Sequence, residues 1–423
     1  MFDRRPALIA RCAQAADVVA AVNFVREHDL LCSVRGGGHN IAGHAVSDDG
    51  VMIDLSLMNA VEVDMQTRTV RVQGGALWAD VDRATQVEGL AVPNGVVSTT
   101  GVAGLTLGGG FGRLSRKFGL TIDNLISAEL VTAEGEHVTA SDDENPDLFW
   151  ALRGGGGNFG VVTAFRFRLH EVGPEVLFGP VVYRLEDARD VLRNYAKFAL
   201  NAPRDSSIWA DHLTAPPLPF IPEKYHGKKV LFIAPCWLGE PERGRDIVAP
   251  IRSFGEPIAD GFDRMPYLSA QKAIDPLYAP GMRNYWKAHN FVELEGAAID
   301  AIVASAEGLP TAQSDLLISH VGGAINDVDA GATAYPHRHV NFVVTPGARW
   351  ERAGENAAAV DWVRDCWNAL DDTAAGGSYV NFIAESDGRT QDAFARNHDR
   401  LVEVKKRYDP KNRFRLNQNI KPN

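Results

Sequence analysis

Two kinds of chemistry are written into the residue types of this chain. The first is ligand cradling. Residues 34–44 read VRGGGHNIAGH. Gly36, Gly37 and Gly38 let a backbone pass close to a flat or charged ligand, with its N–H groups free to donate. Arg35 adds a fixed cation with several donors. His39, Asn40, Gly43 and His44 follow at once. The same glycines would also serve a tight inter-strand turn. The second kind is proton transfer. Tyr379 and Asn381, in SYVNF, stand two apart and share one face if the segment is a strand. His320, in LLISHVGG, shares a strand face with Ile318 and Gly322. A base within hydrogen-bond reach of a substrate OH or NH is the usual need of such chemistry. The structural alternatives are a half-buried sheet tyrosine and a satisfied core histidine.

Two further glycine clusters extend the first. Residues 101–112 read GVAGLTLGGGFG and carry Gly101, Gly104, Leu105, Gly108, Gly109, Gly110 and Gly112, with Thr100 just before. No Lys-Ser or Lys-Thr pair makes this a Walker loop. It also lacks the strand, helix and downstream acid of a dinucleotide fingerprint, so a nicotinamide-linked reductase has no motif here. Residues 154–160, GGGGNFG, include Gly157 and Asn158 and open a strand at Val161. Three clusters in the first 160 residues suggest one extended ligand threaded along several turns.

The elements that must position these loops follow from periodicity. Residues 15–28 read as a helix, with Val18, Val22 and Val25 on one face. Short strands at 31–34 and 51–55 flank the first loop, and 60–64 with 69–73 form a hairpin. A helix at 77–87 precedes the second cluster, and a short helix at 146–152 precedes the third. From about residue 173 the glycine runs stop. Strands at 176–185, 208–213, 229–237, 316–321 and 341–344 alternate with helices at 185–200, 241–253, 296–307 and 354–370. That order suggests an α+β domain with one antiparallel sheet covered by helices. A long charged helix at 387–408 stops at Asp409-Pro410. The tail 413–420 alternates like a last strand, with Asn417 and Asn419 on one face.

Composition narrows the partners. Across 423 residues, 45% are hydrophobic and 23% charged, as in an ordinary globular protein of two or three domains. A net charge of −11 argues against nucleic acid or an anionic membrane as partner. No secretory or membrane-spanning apolar run is seen. Cys12, Cys32, Cys236 and Cys366 are far apart and fit no metal-ligand spacing. Reduced thiols of a cytoplasmic protein are expected, without a metal, in a monomer or homodimer.

In their order, these motifs resemble the FAD-linked oxidases of the vanillyl-alcohol-oxidase type. They look most like the berberine-bridge-enzyme-like group within it. VRGGGHN-x-x-G with a following IDLS, GLTLGGGFG, KFGLTIDN, DLFWALRGGGGNFGVVT and RYDPKNRFRLNQNI carry the resemblance. It covers nearly the whole chain and is thin between about 170 and 376. It implies an α+β fold with a PCMH-type FAD-binding domain of two α/β subdomains at 1–172. A substrate domain at 173–385 would follow, its antiparallel sheet covered by helices. Residues 386–423 would return to the FAD domain. Relatives usually carry a strand before the first helix. None is read here, which would fit an N-terminal truncation.

The resemblance further implies FAD bonded through one histidine, by motif position His39. Imidazole is largely neutral near pH 7 and is a plausible nucleophile. His44 is a helper, or else the attached residue. Many relatives have a second link through a cysteine at the position of Val97. No cysteine lies between Cys32 and Cys236, so a thioether there is impossible. Thr100 falls where relatives set oxygen access, and its small side chain fits an oxidase. Leu105 replaces a histidine found in many relatives. Asn158 matches an asparagine beside the flavin, and Asn417 and Asn419 would bind its ring edge. A hydride from a small alcohol, amine or sugar-like substrate would pass to the flavin, with O2 as acceptor. Tyr379 is the proton acceptor preferred over its relay partner His320. Tyr285, Trp286, Lys287 and His289 form an alternative aromatic wall, and residues 337–339 (HRH) are equally open. A flavin-binding protein without turnover, or a dehydrogenase with another acceptor, are the competing readings.

Overall fold

The structure is a computed structural model that describes residues 2–384 and 390–422. Its first unit is a parallel sheet in which Val51–Asp54 lies between Leu8–Arg11 and Cys32–Arg35. The strand expected ahead of the first helix is therefore present. Sequence reading missed it because LIAR is short and mostly exposed. Helix Ala15–Glu27 starts where Asp17 accepts hydrogen bonds from the N–H groups of Ala13 and Gln14. An acid there satisfies donors that the first turn leaves free. The helix buries Val18, Ala21, Val22 and Val25 against Val51, Ile53 and Cys32. The parallel pairing aims the end of Cys32–Arg35 directly into the first glycine loop.

The second unit is a five-stranded antiparallel sheet ordered Val61–Asp64, Thr69–Gln73, Val161–Arg168, Leu125–Val131, His137–Ser141. Its core holds Trp78, Phe149, Trp150, Phe165 and Phe167.

The third unit is a ten-stranded sheet. Ser206–Thr214, Asp315–His320 and Phe342–Trp350 run antiparallel at its centre. Alternation sorts the residues of these strands onto two faces. Ile208, Ala210, Ile318, Phe342 and Val344 pack against helices Ala188–Leu200, Gly296–Glu307 and Asn356–Leu370. The opposite face, with Trp209, Leu317, Ser319 and Thr345, looks toward the glycine loops.

Several sequence expectations meet local corrections. The strand read at 176–185 is two strands, Glu175–Phe178 and Val181–Arg184, which share Lys229–Trp237 as a partner but differ in their second one, Asp263–Pro266 and Ala259–Asp260. Gly179 at φ +144° and Pro180 break it, a conformation that only glycine adopts freely. The long helix read at 387–408 begins outside the described residues. Beyond them it is Thr390–Phe394, a 3-10 turn Ala395–Asn397, and His398–Tyr408. The tail 413–420 is irregular rather than a strand.

Buried side chains hold that tail in place of a ladder. Lys405, fully buried, donates to Asp409 at 2.7 Å, to the Asn158 carbonyl at 2.7 Å and to the Phe414 carbonyl at 3.0 Å. Asp409 in turn accepts from the N–H groups of Arg413 and Phe414. One charge pair thus ties helix His398–Tyr408, the third glycine loop and the tail together. Removing one partner of a buried pair leaves the other uncompensated. Lys405→Ala is expected to cost about 3–5 kcal/mol, read as a lower urea midpoint, together with loss of FAD loading. An unchanged midpoint would show that the tail is held elsewhere.

Candidate active site

All three glycine clusters, the tail and the inner face of the large sheet meet around one cavity of about 330 Å³. Its cradle starts where the first two loops touch. A Cβ on Gly37 would lie 2.4 Å from the Gly101 nitrogen, and one on Gly101 would lie 2.3 Å from the Gly37 nitrogen. Only two glycines can pass this closely. Gly36, Gly37, Gly38, Asn40, Gly101, Gly104, Leu105, Gly157 and Asn158 line the cavity, as the sequence suggested. A Cβ on Gly104 or Gly157 would meet nothing within 4 Å, so both present bare backbone to open space.

His39 also lines the cavity, exposed at its wall, and its Nε2 lies 3.0 Å from Thr99 Oγ1. The protein around the concave site holds its pKa below the usual imidazole value, partly offset by Asp275. Burial and then Arg4 lower the pKa of His44, whose ring nitrogens have no partner. Val97 and Thr100 line the cavity nearby.

The expected proton acceptor is in place, but not on a strand. Tyr379 caps a single 3-10 turn, Val380–Phe382. The turn brings Asn381 back onto it, so the pair converges by curling rather than by alternation. Tyr379 Oη accepts from Gly110 N–H and from Asn381 Nδ2, each at 3.0 Å. Burial pushes its pKa up to about 12 even though both donors pull it down. Phe111 and Phe382 hold the ring, each with its centroid 4.9 Å away.

Other expected site residues serve the frame instead. His320 is on the helix-facing side of the sheet, stacked on Phe342 at 5.4 Å, with Nδ1 accepting from Ile208 N–H. It is outside the cavity lining, and burial and then Arg116 hold its pKa far below the usual range. One residue of register decides this, since Leu317 and Ser319 face the cavity while Ile318 and His320 do not. Gly108, Gly109, Gly110 and Gly112 also stay outside the lining. A Cβ on Gly108 would strike Asn381, one on Gly112 the Asn94 carbonyl, and Gly109 and Gly110 take φ of +126° and +76°. They shape the bed for Tyr379 and Asn381. Arg35 leans 3.7 Å from Asp54, Gly43 turns at φ +73° against Phe2, and Val161 is in the core while Val162 lines the cavity. Asn158 clamps the tail, donating to the Gln418 carbonyl and accepting from Ile420 N–H. Asn417 lines the cavity but Asn419 does not, because the irregular tail breaks the alternation that would have paired them.

Of the alternative wall, only Trp286 reaches the cavity. Tyr285 packs on helix Asn356–Leu370, His289 stacks on Trp367, and Lys287 lies over the same indole. His337 bonds the Ala393 carbonyl and Arg338 pairs with Asp123. Residues the sequence did not single out complete the lining: Trp209, Tyr278, Asp315, Leu317, Thr345 and Arg349. Nothing local marks them, because sheet pairing brings together all but Tyr278, which a 3-10 turn lays against Arg349.

FAD fits this donor set. The cradle is bare glycine backbone, and the buried Asn417 Oδ1 and His44 nitrogens have no protein partner. Comparison with known proteins agrees. Residues 6–141 match the family model of an FAD binding domain, and residues 378–421 match the model described as berberine and berberine like. An FAD-linked oxidoreductase of Dictyostelium discoideum is 32% identical over 99% of this chain and 89% of its own. (R)-6-hydroxynicotine oxidase of Paenarthrobacter nicotinovorans is 30% identical over 99% and 92%. The crystal structure of 6-hydroxy-D-nicotine oxidase from Arthrobacter nicotinovorans superposes with a TM-score of 0.88, at 29% identity, covering 100% of this chain and 93% of that one. Fold, cavity and matches define an FAD-dependent oxidoreductase. The chain belongs to the berberine-bridge-enzyme-like family of FAD-linked oxidoreductases.

Two glycines separate packing from binding. Gly37→Ala forces a backbone shift at Gly101 and should cost about 1–3 kcal/mol of stability, along with FAD loading. Gly104→Ala, inside helix Val102–Leu107, should stabilise the apoprotein by about 0.5–1 kcal/mol while weakening FAD binding. Thermal melts of the apoprotein and FAD titration give both signs. Full FAD affinity in Gly104→Ala would remove it from the cradle.

Proposed function

We propose that this protein is an oxidase. It removes a hydride from a small organic substrate to FAD held covalently by His39 alone, and O2 takes the two electrons and two protons as H2O2. One observation carries the reading: His39 and the doubly bonded Tyr379 hydroxyl open into the same cavity, between a glycine cradle and an aromatic sheet face. FAD, when bound, supplies the two-electron acceptor.

The chain's own residues do the rest. The lowered pKa of His39 keeps its imidazole neutral at pH 7, the form with a lone pair to give. Val97, at the cavity wall, has no nucleophilic sulfur, so one attachment is the reading supported here. Tyr379 acts as the base in its phenolate form: its own proton leaves to solvent first, against the raised pKa, and the phenolate oxygen then takes the proton of the substrate OH or NH and returns to the neutral phenol. Gly110 N–H and Asn381 Nδ2 both donate to its oxygen and stabilise the phenolate, so a relay through His320 is not needed for that. Trp209, Trp286, Phe111 and Phe382 exclude water and favour a flat substrate. Thr100 leaves room at the wall, which supports O2 as acceptor. The four free, buried cysteines support a cytoplasmic setting.

Attachment and proton transfer have separate tests. Acid precipitation should leave flavin on the wild-type polypeptide, while His39→Ala should release it on denaturation. Wild-type protein that gives up all its flavin in acid would end the covalent reading. Tyr379→Phe should slow anaerobic flavin reduction by about 10² to 10⁴, with flavin loading and reoxidation by O2 nearly unchanged. Equal reduction rates in Tyr379→Phe and wild type would move the proton to another group. An H2O2 yield far below the substrate consumed in air would instead point to a dehydrogenase.

A further inference from the structure

The loop at residues 93–100 forms part of the cavity wall, through Gly95, Val96, Val97 and Thr100, and has no helix or strand of its own. On one side its Ser98 and Thr100 carbonyls accept from Ala79 and Trp78 N–H, at the start of helix Trp78–Thr85. On the other side it is held from the large-sheet unit, by the segment between strands Asp263–Pro266 and Arg283–Trp286.

Asp275 opens the 3-10 turn Asp275–Tyr278 and spends both carboxylate oxygens on Ser98. Oδ1 accepts from Ser98 N–H at 2.8 Å, and Oδ2 accepts from Ser98 Oγ at 2.6 Å. Ser98 is buried, so its polar groups need partners, and bonds to a carboxylate are among the stronger ones. Gln271, on helix Tyr267–Lys272, secures the start of the same loop. Its Nε2 donates to Asn94 Oδ1 at 2.5 Å and to the Gly95 carbonyl at 3.2 Å. The far end of the turn, Tyr278, lines the cavity against Arg349. One short segment thus grips the cofactor-side loop and touches the sheet face.

The grip bears on His39. Thr99 follows the clasped Ser98, and its Oγ1 lies 3.0 Å from His39 Nε2. Both residues of that contact are exposed, so water competes for it. Such a hydrogen bond orients a ring only while its two loops are held still. The contact of Gly37 with Gly101 fixes the main chain of both loops at one point. Asp275 fixes the residue next to Thr99 itself. Its charge also reaches the ring: desolvation lowers the His39 pKa, and Asp275 does most to oppose that, followed by a hydrogen bond to the Thr99 main chain.

We propose that Asp275 is a positioning residue for His39: through its two hydrogen bonds to Ser98 it sets Thr99, and so the orientation of the imidazole that the cavity offers to FAD. Asp275 is outside the cavity lining and acts only through Ser98 and Thr99. This rests on the reading of His39 as the attachment residue, and it adds that a residue of the large-sheet unit sets the attachment geometry.

Two variants separate the clasp from its charge. Asp275→Asn keeps an acceptor for Ser98 N–H, and its amide can donate to Ser98 Oγ, so the clasp survives. Asp275→Ala removes it. Full-length apoprotein from riboflavin-starved cells is mixed with FAD, and acid-stable flavin is followed over time. Asp275→Ala should slow attachment by about ten- to hundredfold. Its FAD affinity, read by fluorescence quenching, should stay within about threefold of wild type. Asp275→Asn should restore the attachment rate to within about threefold. Ser98→Ala removes one of the two bonds and little volume. It should slow attachment too, and it keeps the test open if Asp275→Ala does not fold. Nitrogen-15 histidine spectra of the apoproteins give a readout that lost stability alone does not move. The His39 ring should show one tautomer in wild type and Asp275→Asn, and a mixture in Asp275→Ala. Attachment at the wild-type rate in Asp275→Ala or Ser98→Ala, equal losses of affinity and attachment rate, an Asp275→Asn no faster than Asp275→Ala, or an unaltered His39 ring in Asp275→Ala would each overturn the assignment. Wild-type protein without acid-stable flavin would remove the attachment reading, while the His39 spectra would still decide the role of Asp275.

Discussion

The backbone contact between Gly37 and Gly101 is the constraint on which the rest depends. Two loops from different parts of the FAD-binding region pass so closely that neither tolerates a Cβ. That contact closes one wall of the cradle and fixes where Gly104 presents open backbone. It also places His39 and Thr99, which flank the two glycines in sequence, within 3.0 Å of each other. The position of His39 on the cavity wall is thereby set by packing of main chain, which has few ways to move.

The opposite wall is held by charge. Lys405 and Asp409 form a buried pair whose further hydrogen bonds are all to backbone. A buried ion pair contributes little net stability by itself, since desolvation offsets the attraction. Its use here is positional. It fixes an irregular tail that no ladder could hold, and that tail brings Leu416, Asn417 and Gln418 to the cavity. Asn158 does the same work from the third glycine loop.

The large sheet divides its labour between faces. One packs apolar residues against three helices, and the other meets the cofactor region with indoles and a charged pair. The position of Tyr379 is set by neighbours outside that sheet. Its ring rests among Phe111 and Phe382, while its hydroxyl is fixed from the Gly108–Gly110 bend and by Asn381. Glycines that looked like ligand contacts prove to be the mould for Tyr379 and Asn381.

By itself the sequence determined the cofactor half. Glycine runs, the following histidine and the order of the motifs are local features, and local features survive in a linear string. His39, Gly37, Gly101, Gly104, Gly157 and Asn158 were all legible for that reason. Tertiary structure decided the substrate half. His320 lost its place because a shift of one residue along a strand sends a side chain to the other face. Asn419 and Val161 lost theirs through backbone geometry that periodicity does not encode. Asp315 and Arg349 were ordinary charged residues apart in the chain, and only the pairing of their strands made them neighbours. Burial of both makes their pairing count, because an unpaired charge costs little in water and much in a buried site.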